Sequence, residues 1–277
     1  MNPSFKTILI TGCSSGIGLY CACQLQQRGH RVIASCRQLS DVERLQQTGL
    51  PAIQLDLASE SSIEQGWQQA LKLAEGKIDV LFNNGAYGQP GALEDLPTQA
   101  LRQQFDSNFF GWHHLSRIAL AHMLQQQQGR IIQNSSVLGL VAMKYRGAYN
   151  ASKFAIEGYT DTLRLELADT PIQVSLIEPG PITSAFRKNA KAAFLKHIKV
   201  EQSRHHSTYQ KTLQRLDKEG PSTRFTLPPS AVYKALLHAI ESPRPKARYY
   251  VTFPTYLFAY LRRVLPVSLL DGILKKS

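Results

Sequence analysis

A short apolar run, Thr7-Ile8-Leu9-Ile10, empties directly into Thr11-Gly12-Cys13-Ser14-Ser15-Gly16-Ile17-Gly18, and a stretch of helical period follows at once. A strand that turns on glycines into a helix is the most restrictive feature of the chain. Glycine suits such a junction for three reasons: the turn is tight, the backbone can approach a pyrophosphate closely, and the helix can pack closely on the strand. A glycine-rich loop by itself is weak evidence. Here the strand before it and the helix after it supply the context that a dinucleotide-binding turn requires.

The rest of the chain repeats the alternation. Apolar β-branched runs predict strands near 6–10, 31–35, 52–54, 78–82, 130–134, 172–177 and 249–253. Segments of helical period fall near 16–28, 41–48, 59–74, 98–127 (as two helices), 148–168 and 230–241. Seven strands interleaved with helices predict an α/β fold, a doubly wound Rossmann-type seven-stranded parallel sheet with helices on both faces. The 277 residues, 43% of them hydrophobic, fit one domain over 1–277 with a sizeable core. No uncharged stretch reaches the roughly 18 residues of a membrane span, so a cytoplasmic location is expected. The four cysteines all lie within the first 36 residues, which fits a reducing compartment and small buried side chains. Cys21 and Cys23 point to different sides of a helix, and His113-His114 and His205-His206 lack ligand spacing, so no metal is expected.

Charge is unevenly placed. Through Phe186 there are 14 Lys and Arg against 15 Asp and Glu; from Arg187 onward there are 18 against 5. Such a basic third fits nucleic acid, an anionic membrane surface, a phosphate-bearing cofactor or a plain solvated surface. With no helix-turn-helix, zinc-finger or RNP pattern, nucleic acid is the weakest of these. About 20 residues beyond a dinucleotide loop, a carboxylate suits the ribose of NAD and an arginine suits the extra phosphate of NADP. This chain has Ser35-Cys36-Arg37 there. Arg37 is either an ordinary exposed arginine or the phosphate ligand, which makes NADP(H) the favoured cofactor and NAD the weaker candidate.

Tyr149-Asn150-Ala151-Ser152-Lys153 sets a phenol and an ammonium on one helical face, thirteen residues after Ser136 at the end of a predicted strand. The Tyr–Lys spacing recurs by chance; the glycine loop and the serine give it weight. With these residues in place the chain resembles the short-chain dehydrogenase/reductase family over nearly its whole length. Five motifs fall in order: Gly12 to Gly18, Asp56-Leu57, Asn83-Asn84-Gly85-Ala86, Ser136 with Tyr149 and Lys153, and Pro179-Gly180-Pro181-Ile182. Ile177 to Ile182 and Arg224-Phe225-Thr226-Leu227 resemble bacterial NADP-dependent aldehyde reductases, which are similar in turn to hydroxysteroid and retinol dehydrogenases.

The resemblance implies that Tyr149 exchanges the proton, Lys153 stabilises the phenolate and holds the nicotinamide ribose, Ser136 holds the substrate oxygen, and Asn108 completes a proton relay. The alternative for Asn108 is a mid-helix side chain bonding its own backbone. It further implies cofactor contacts from Gly12, Ser14, Ser15, Gly16, Ile17 and Gly18, from Asp56, Leu57, Asn83 and Ala86, and from Pro179, Gly180, Ile182 and Ser184. The family's Asn-Asn-Ala-Gly stands here as Asn-Asn-Gly-Ala, with the glycine one place early.

Residues 187–228 are expected to form a substrate lid. The tail 254–277, bulky and apolar with Arg262, Arg263, Lys275 and Lys276, is expected to wall an apolar pocket, lie on the inner membrane surface, or pack on the body or on a second subunit. The expected activity is NADP(H)-dependent reduction of small apolar aldehydes or ketones. The alternatives are a hydroxysteroid- or retinol-type dehydrogenase working oxidatively, and a non-catalytic NADP-binding protein at a membrane surface. A homodimer or homotetramer built on the helices within 98–127 and 148–168 is the expected assembly.

Overall fold

The computed structural model describes residues 5–217, 220–221 and 223–275. Residues 218, 219 and 222 of the expected lid, and Lys276 and Ser277 of the tail, lie outside the described residues. The elements run β1 (Thr7–Ile10), α1 (Gly16–Gln27), β2 (Arg31–Cys36), α2 (Leu39–Gln47), β3 (Ala52–Gln54), α3 (Glu60–Leu73), β4 (Val80–Asn83), α4 (Thr98–Phe105), α5 (Gly111–Gln125), β5 (Gly129–Asn134) and α6 (Gly147–Glu166). They continue with β6 (Ile172–Glu178), α7 (Phe186–His197), α8 (His206–Asp217), α9 (Ser230–Glu241), β7 (Arg248–Tyr250), α10 (Phe253–Val264) and α11 (Val267–Leu274).

The seven strands form one parallel sheet in the order β3-β2-β1-β4-β5-β6-β7. Ile8 pairs with Val32 on one side and Val80 on the other. Each strand is covered on both faces, which is why the sequence shows continuous apolar runs instead of alternation. Successive side chains nevertheless part company. Ile8, Ile10 and Val32 join one core under α1 and α9, while Leu9, Ile33 and Leu81 join the other under α3 and α5.

The end of the last strand differs from the sequence expectation. The last strand stops at Tyr250, and Phe253 opens α10 instead of ending the strand. Pro254 sits in the first turn of that helix, where its fixed φ and missing N–H cost nothing, so the proline marks a helix start. The two helices expected over 98–127 are present as α4 and α5, joined by a π-helical segment, Asp106–Phe110, which places Asn108 at the widened turn. Residues 187–217 carry α7 and α8, and Thr183 and Leu227 exchange backbone contacts that tie the return of this excursion to the end of β6.

A charged knot joins the last two strands to α6. Arg248 on β7 donates to Glu178 on β6 at 2.5 Å, to Asp161 at 2.6 Å and to Glu157. Glu178 is fully buried, and burial together with the neighbouring Glu157 carboxylate raises its pKa well above the carboxylate range while Arg248 pulls it back. Arg248→Met strips the one cation shared by all three carboxylates, leaving Asp161 with Arg164. Removing one member of a buried ionic set costs about 3–5 kcal/mol, so a drop in Tm of about 10 °C is expected in a thermal melt at pH 7.

Candidate active site

The sheet order reverses between β1 and β4, and at the carboxyl ends of these strands a cleft of about 540 Å³ opens. The glycine loop forms its floor. Ser15 caps α1 with extended backbone and makes no side-chain bond to the helix, leaving the first-turn N–H groups turned to the cleft. No carboxylate stands in that turn. An uncapped helix start among glycines is suited to an anion. The close approach is physical: a Cβ at Gly12 would stand 2.5 Å from Gly85 Cα, and one at Gly18 would stand 2.3 Å from Gly12 O.

The displaced glycine finds its explanation here. Gly85 is the residue whose backbone meets Gly12, and Ala86 lines the cleft one place further on. Thr11 Oγ1 accepts from the N–H groups of Asn84 and Gly85, both at 2.9 Å, which fixes the end of β4 on the end of β1. Asn84 Nδ2 donates back to Thr11 O at 2.9 Å, and Asn84 Oδ1 accepts from Asn134 at 2.8 Å.

The opposite wall comes from β5, α6 and the segment after β6. Ser136 leaves β5 with its Oγ accepting from Leu138 N at 3.1 Å, so its own hydrogen is free to be donated. Tyr149 and Lys153 project from adjacent turns of α6. Lys153 is almost wholly buried. Its Nζ donates to Asn134 O at 2.8 Å, stands 4.3 Å from the Trp112 ring centroid and 5.7 Å from that of Tyr149. Burial pushes the Lys153 ammonium down to about 7, against the pull of Glu157 one turn on. Burial pushes the Tyr149 phenol up to about 12, and the Ser136 hydroxyl and Arg146 guanidinium draw it down. Phe186 packs edge-on against Tyr149 at 5.2 Å between ring centroids.

Gly12, Ser14, Ser15, Gly16, Ile17, Ala86, Ser136, Tyr149, Lys153, Pro179, Gly180, Ile182 and Ser184 all line this cleft. Five candidates stand elsewhere, and Gly18 serves helix packing. Asn83 is fully buried and donates to Ser116 Oγ at 2.9 Å, away from the cleft. Asp56 and Leu57 follow β3, with the Asp56 carboxylate accepting from Ala58 N at 3.0 Å. Arg37 is exposed at the end of β2. Asn108 bonds neither its own turn nor Lys153; its amide joins Tyr87 O at 2.9 Å and Ser152 Oγ at 3.3 Å. None of the described tail residues beyond Pro254 lines the cleft.

Residues that the sequence reading did not single out also line it: Asn84, Asn134, Phe186, Arg146, Arg187 and Arg215. Asn84 lies inside a quoted motif, and its role shows only when β4 and β5 are seen side by side. Among the described residues no cluster of His, Cys, Asp and Glu is arranged to hold a metal, and no helix is long and apolar enough to cross a membrane.

The short chain dehydrogenase family profile matches residues 6–194. The chain is 40% identical over 270 residues to the uncharacterized oxidoreductase YbbO of Escherichia coli K12, covering 98% of this chain and 94% of that protein. It is 35% identical over 259 residues to human retinol dehydrogenase 8, covering 88% and 80%. Among solved structures, a short chain dehydrogenase/reductase from Burkholderia phymatum in complex with NAD superposes with a TM-score of 0.78 at 25% identity, covering 95% and 94%.

The buried ammonium has a signed effect on stability. Because the folded state holds Lys153 near 7 while the unfolded chain holds it near the ordinary 10.5, the unfolded state binds the extra proton between those values. Folding is therefore penalised fully below about 7, and the penalty disappears as pH rises to 10.5. Lys153→Met is expected to raise Tm relative to the wild-type protein more at pH 7 than at pH 10, read from paired melts in matched buffers.

Proposed function

The chain belongs to the short-chain dehydrogenase family and is an oxidoreductase of that family; on this premise we propose that it reduces apolar aldehydes or ketones with NADPH at Ser136, Tyr149 and Lys153. The observation that carries the reading is the convergence of these three side chains with the uncapped start of α1 in one cleft. The cleft residues suit a dinucleotide: backbone amides of Ser15, Gly16 and Ile17 for the pyrophosphate, and Asn84, Ile182 and Ser184 about the nicotinamide half. A reduced nicotinamide dinucleotide bound there supplies the hydride to the carbonyl carbon.

The protein's own task is the proton. Ser136 donates a hydrogen bond to the carbonyl oxygen, holding it beside Tyr149 while negative charge builds on it. Tyr149 gives its phenolic proton to that oxygen, and the phenolate left behind is stabilised by Ser136, Arg146 and the Lys153 ammonium. In the alcohol-oxidising direction the same phenolate takes the proton back. Apolar lining from Leu138, Met143, Phe186 and Leu216 excludes water from the reacting group.

The preference for NADPH rests on Arg37 after β2, with no carboxylate at the neighbouring positions. Arg44, which bonds Ser14 O at 2.7 Å, adds a second cation on the same side of the glycine loop. Its likeness to human retinol dehydrogenase 8 supports an apolar substrate.

A second reading concerns the tail. Phe253, Tyr256, Leu257, Tyr260 and Val264 form an exposed stripe at helical spacing on α10, while Thr255 and Ala259 face the body. Arg262 and Arg263 flank the stripe, and this pairing of apolar surface with cations fits an anionic lipid surface.

Three outcomes are expected. Tyr149→Phe lowers kcat/KM for an aldehyde by about 10²–10⁴ while the NADPH dissociation constant stays within about threefold; normal turnover in this variant overturns the mechanism. Arg37→Asp shifts the NADPH-to-NADH ratio of kcat/KM by about tenfold or more toward NADH, and an unchanged ratio removes the phosphate argument. Vesicles containing phosphatidylserine are expected to pellet the protein, and the double variant Leu257→Glu, Tyr260→Glu to reduce the pelleted fraction; equal pelleting of both discards the membrane reading.

A further inference from the structure

Three arginines from three separate segments line the cleft beyond Tyr149. Arg146 stands at the turn into α6, Arg187 in the first turn of α7, and Arg215 in the last turn of α8. Some neighbouring cations find carboxylates, while others such as Lys188, Lys196 and Lys211 stand exposed to solvent. Lys191 is paired with Asp217, Arg204 with Glu94, and Arg248 with Glu157, Asp161 and Glu178. Among the described residues, Arg146, Arg187 and Arg215 take part in no ion pair.

The three instead stand against one another. Burial and the nearby charge of Arg215 press Arg146 down to about 10, and burial with the charge of Arg187 presses Arg215 down as well. Arg146 and Arg215 nonetheless stay protonated at neutral pH. Arg187 donates one amino group to Gly220 O, while its other, Nη1, is buried and finds no hydrogen-bond partner among the described residues. A buried donor left unpaired on a charged group is expensive, and like charges gathered in one cleft add to the cost. Arg187 also sits at the positive end of α7, which has no acidic residue in its first turn and no side-chain cap.

A bound anion offsets that cost. Arg146 is in electrostatic contact with Tyr149 as well as with Arg215, so the cationic group lies on the same side of the cleft as the reacting oxygen. The uncapped start of α1 provides a separate place for the cofactor's pyrophosphate. The same cleft has apolar lining from Leu138, Met143, Phe186 and Leu216. Tyr145 just before Arg146 holds a left-handed φ of 59°, a conformation a bulky residue adopts at a cost, and its carbonyl accepts from Gly91 N at 2.9 Å, fixing the backbone from which Arg146 projects.

We propose that the substrate of this site carries a carboxylate or phosphate on an apolar carbon body, with the anionic group held by Arg146, Arg187 and Arg215 while its carbonyl meets Tyr149. The proposal rests on the carbonyl-reductase reading and narrows its substrate class. Guanidinium forks match the geometry of both anions, and a bidentate grip orients the chain of the substrate as well as binding it.

The test uses the full chain with NADPH and ω-oxocarboxylates of four to ten carbons, each set against the plain aldehyde of the same length. At the best-fitting length the anionic compound is expected to have a kcat/KM higher by about tenfold or more, and Arg187→Gln and Arg215→Gln each to draw that ratio toward one. A second arm needs no turnover: isothermal titration of decanoate, decyl phosphate and decanol into the protein, with and without saturating NADP. The anions are expected to bind about tenfold tighter than the alcohol, to lose that margin in Arg187→Gln, and to keep it when NADP is present. Decanoate against decyl phosphate separates the two head groups. An absent preference in both arms overturns the proposal, as does anion binding that NADP abolishes, which assigns the arginines to the cofactor's phosphates. Substitutions that weaken anion and alcohol alike also overturn it, since they then act on structure. Anion preference in the titration with no turnover of either aldehyde leaves the anion site standing and overturns the carbonyl-reductase reading.

Discussion

Everything in the cleft depends on the contact between the ends of β1 and β4. Parallel strands joined by crossover helices send their connections to opposite sides wherever the strand order reverses, and the gap left at that point is where the cleft opens. Thr11 Oγ1 fastens the two strand ends by accepting from Asn84 and Gly85, and the absence of side chains at Gly12 and Gly85 lets the backbones touch. Were that contact wider, the start of α1 would point elsewhere and the amides of Gly16 and Ile17 would no longer face Ser136 and Tyr149. The same contact carries Asn84 to Asn134, and Asn134 to Lys153, so one chain of hydrogen bonds links the glycine loop to the ammonium on α6.

That chain shows why a cation is held where burial opposes it. Lys153 has an indole face, a carbonyl oxygen and a phenol for company, with Glu157 a turn away. Desolvation is the dominant cause of both shifts, lowering the ammonium and raising the phenol, and a protonated Lys153 beside Tyr149 favours the phenolate. The cost of keeping these groups dry is met by the two apolar layers that cover the sheet.

How much of this was legible depended on whether a residue acts through its neighbours in sequence or in space. The strands were readable because a doubly covered parallel sheet needs continuous apolar runs, and Ile8, Leu9 and Ile10 are buried on alternate faces with no polar interruption. The glycine loop and the Tyr–Lys pair were readable because their chemistry dictates their spacing. Phe253 was misread because a bulky apolar residue before proline fits a strand end as well as a helix start. Asn108 was identified by motif, yet its partners Tyr87 and Ser152 lie 21 and 44 residues away, and a π turn widens the helix around it. Asn83 and Asn84 differ by one place, and the pleat alone decides that one faces Ser116 and the other the cleft. Arg146, Arg187 and Arg215 carry no signal in sequence, since nothing local distinguishes an arginine whose side chain meets two others across three segments.

The excess of positive charge in the last third resolves along the same lines. A net basic surface spread at random would say little beyond solvation, but these cations go to distinct places. Arg248 is spent on three carboxylates at the base of α6. Lys191 and Arg204 fasten the α7 and α8 excursion to itself and to Glu94. Arg262 and Arg263 flank the exposed stripe of α10, and Arg187 and Arg215 turn into the cleft beside Arg146. Pairing within the chain accounts for some of these cations, others such as Lys188, Lys196 and Lys211 stand exposed to solvent, and Arg187 and Arg215 lie in the cleft with Tyr149. Cations meant only for solubility have no reason to gather in a cleft, where desolvation and mutual repulsion both raise their free energy. Their placement there follows from what the cleft must hold.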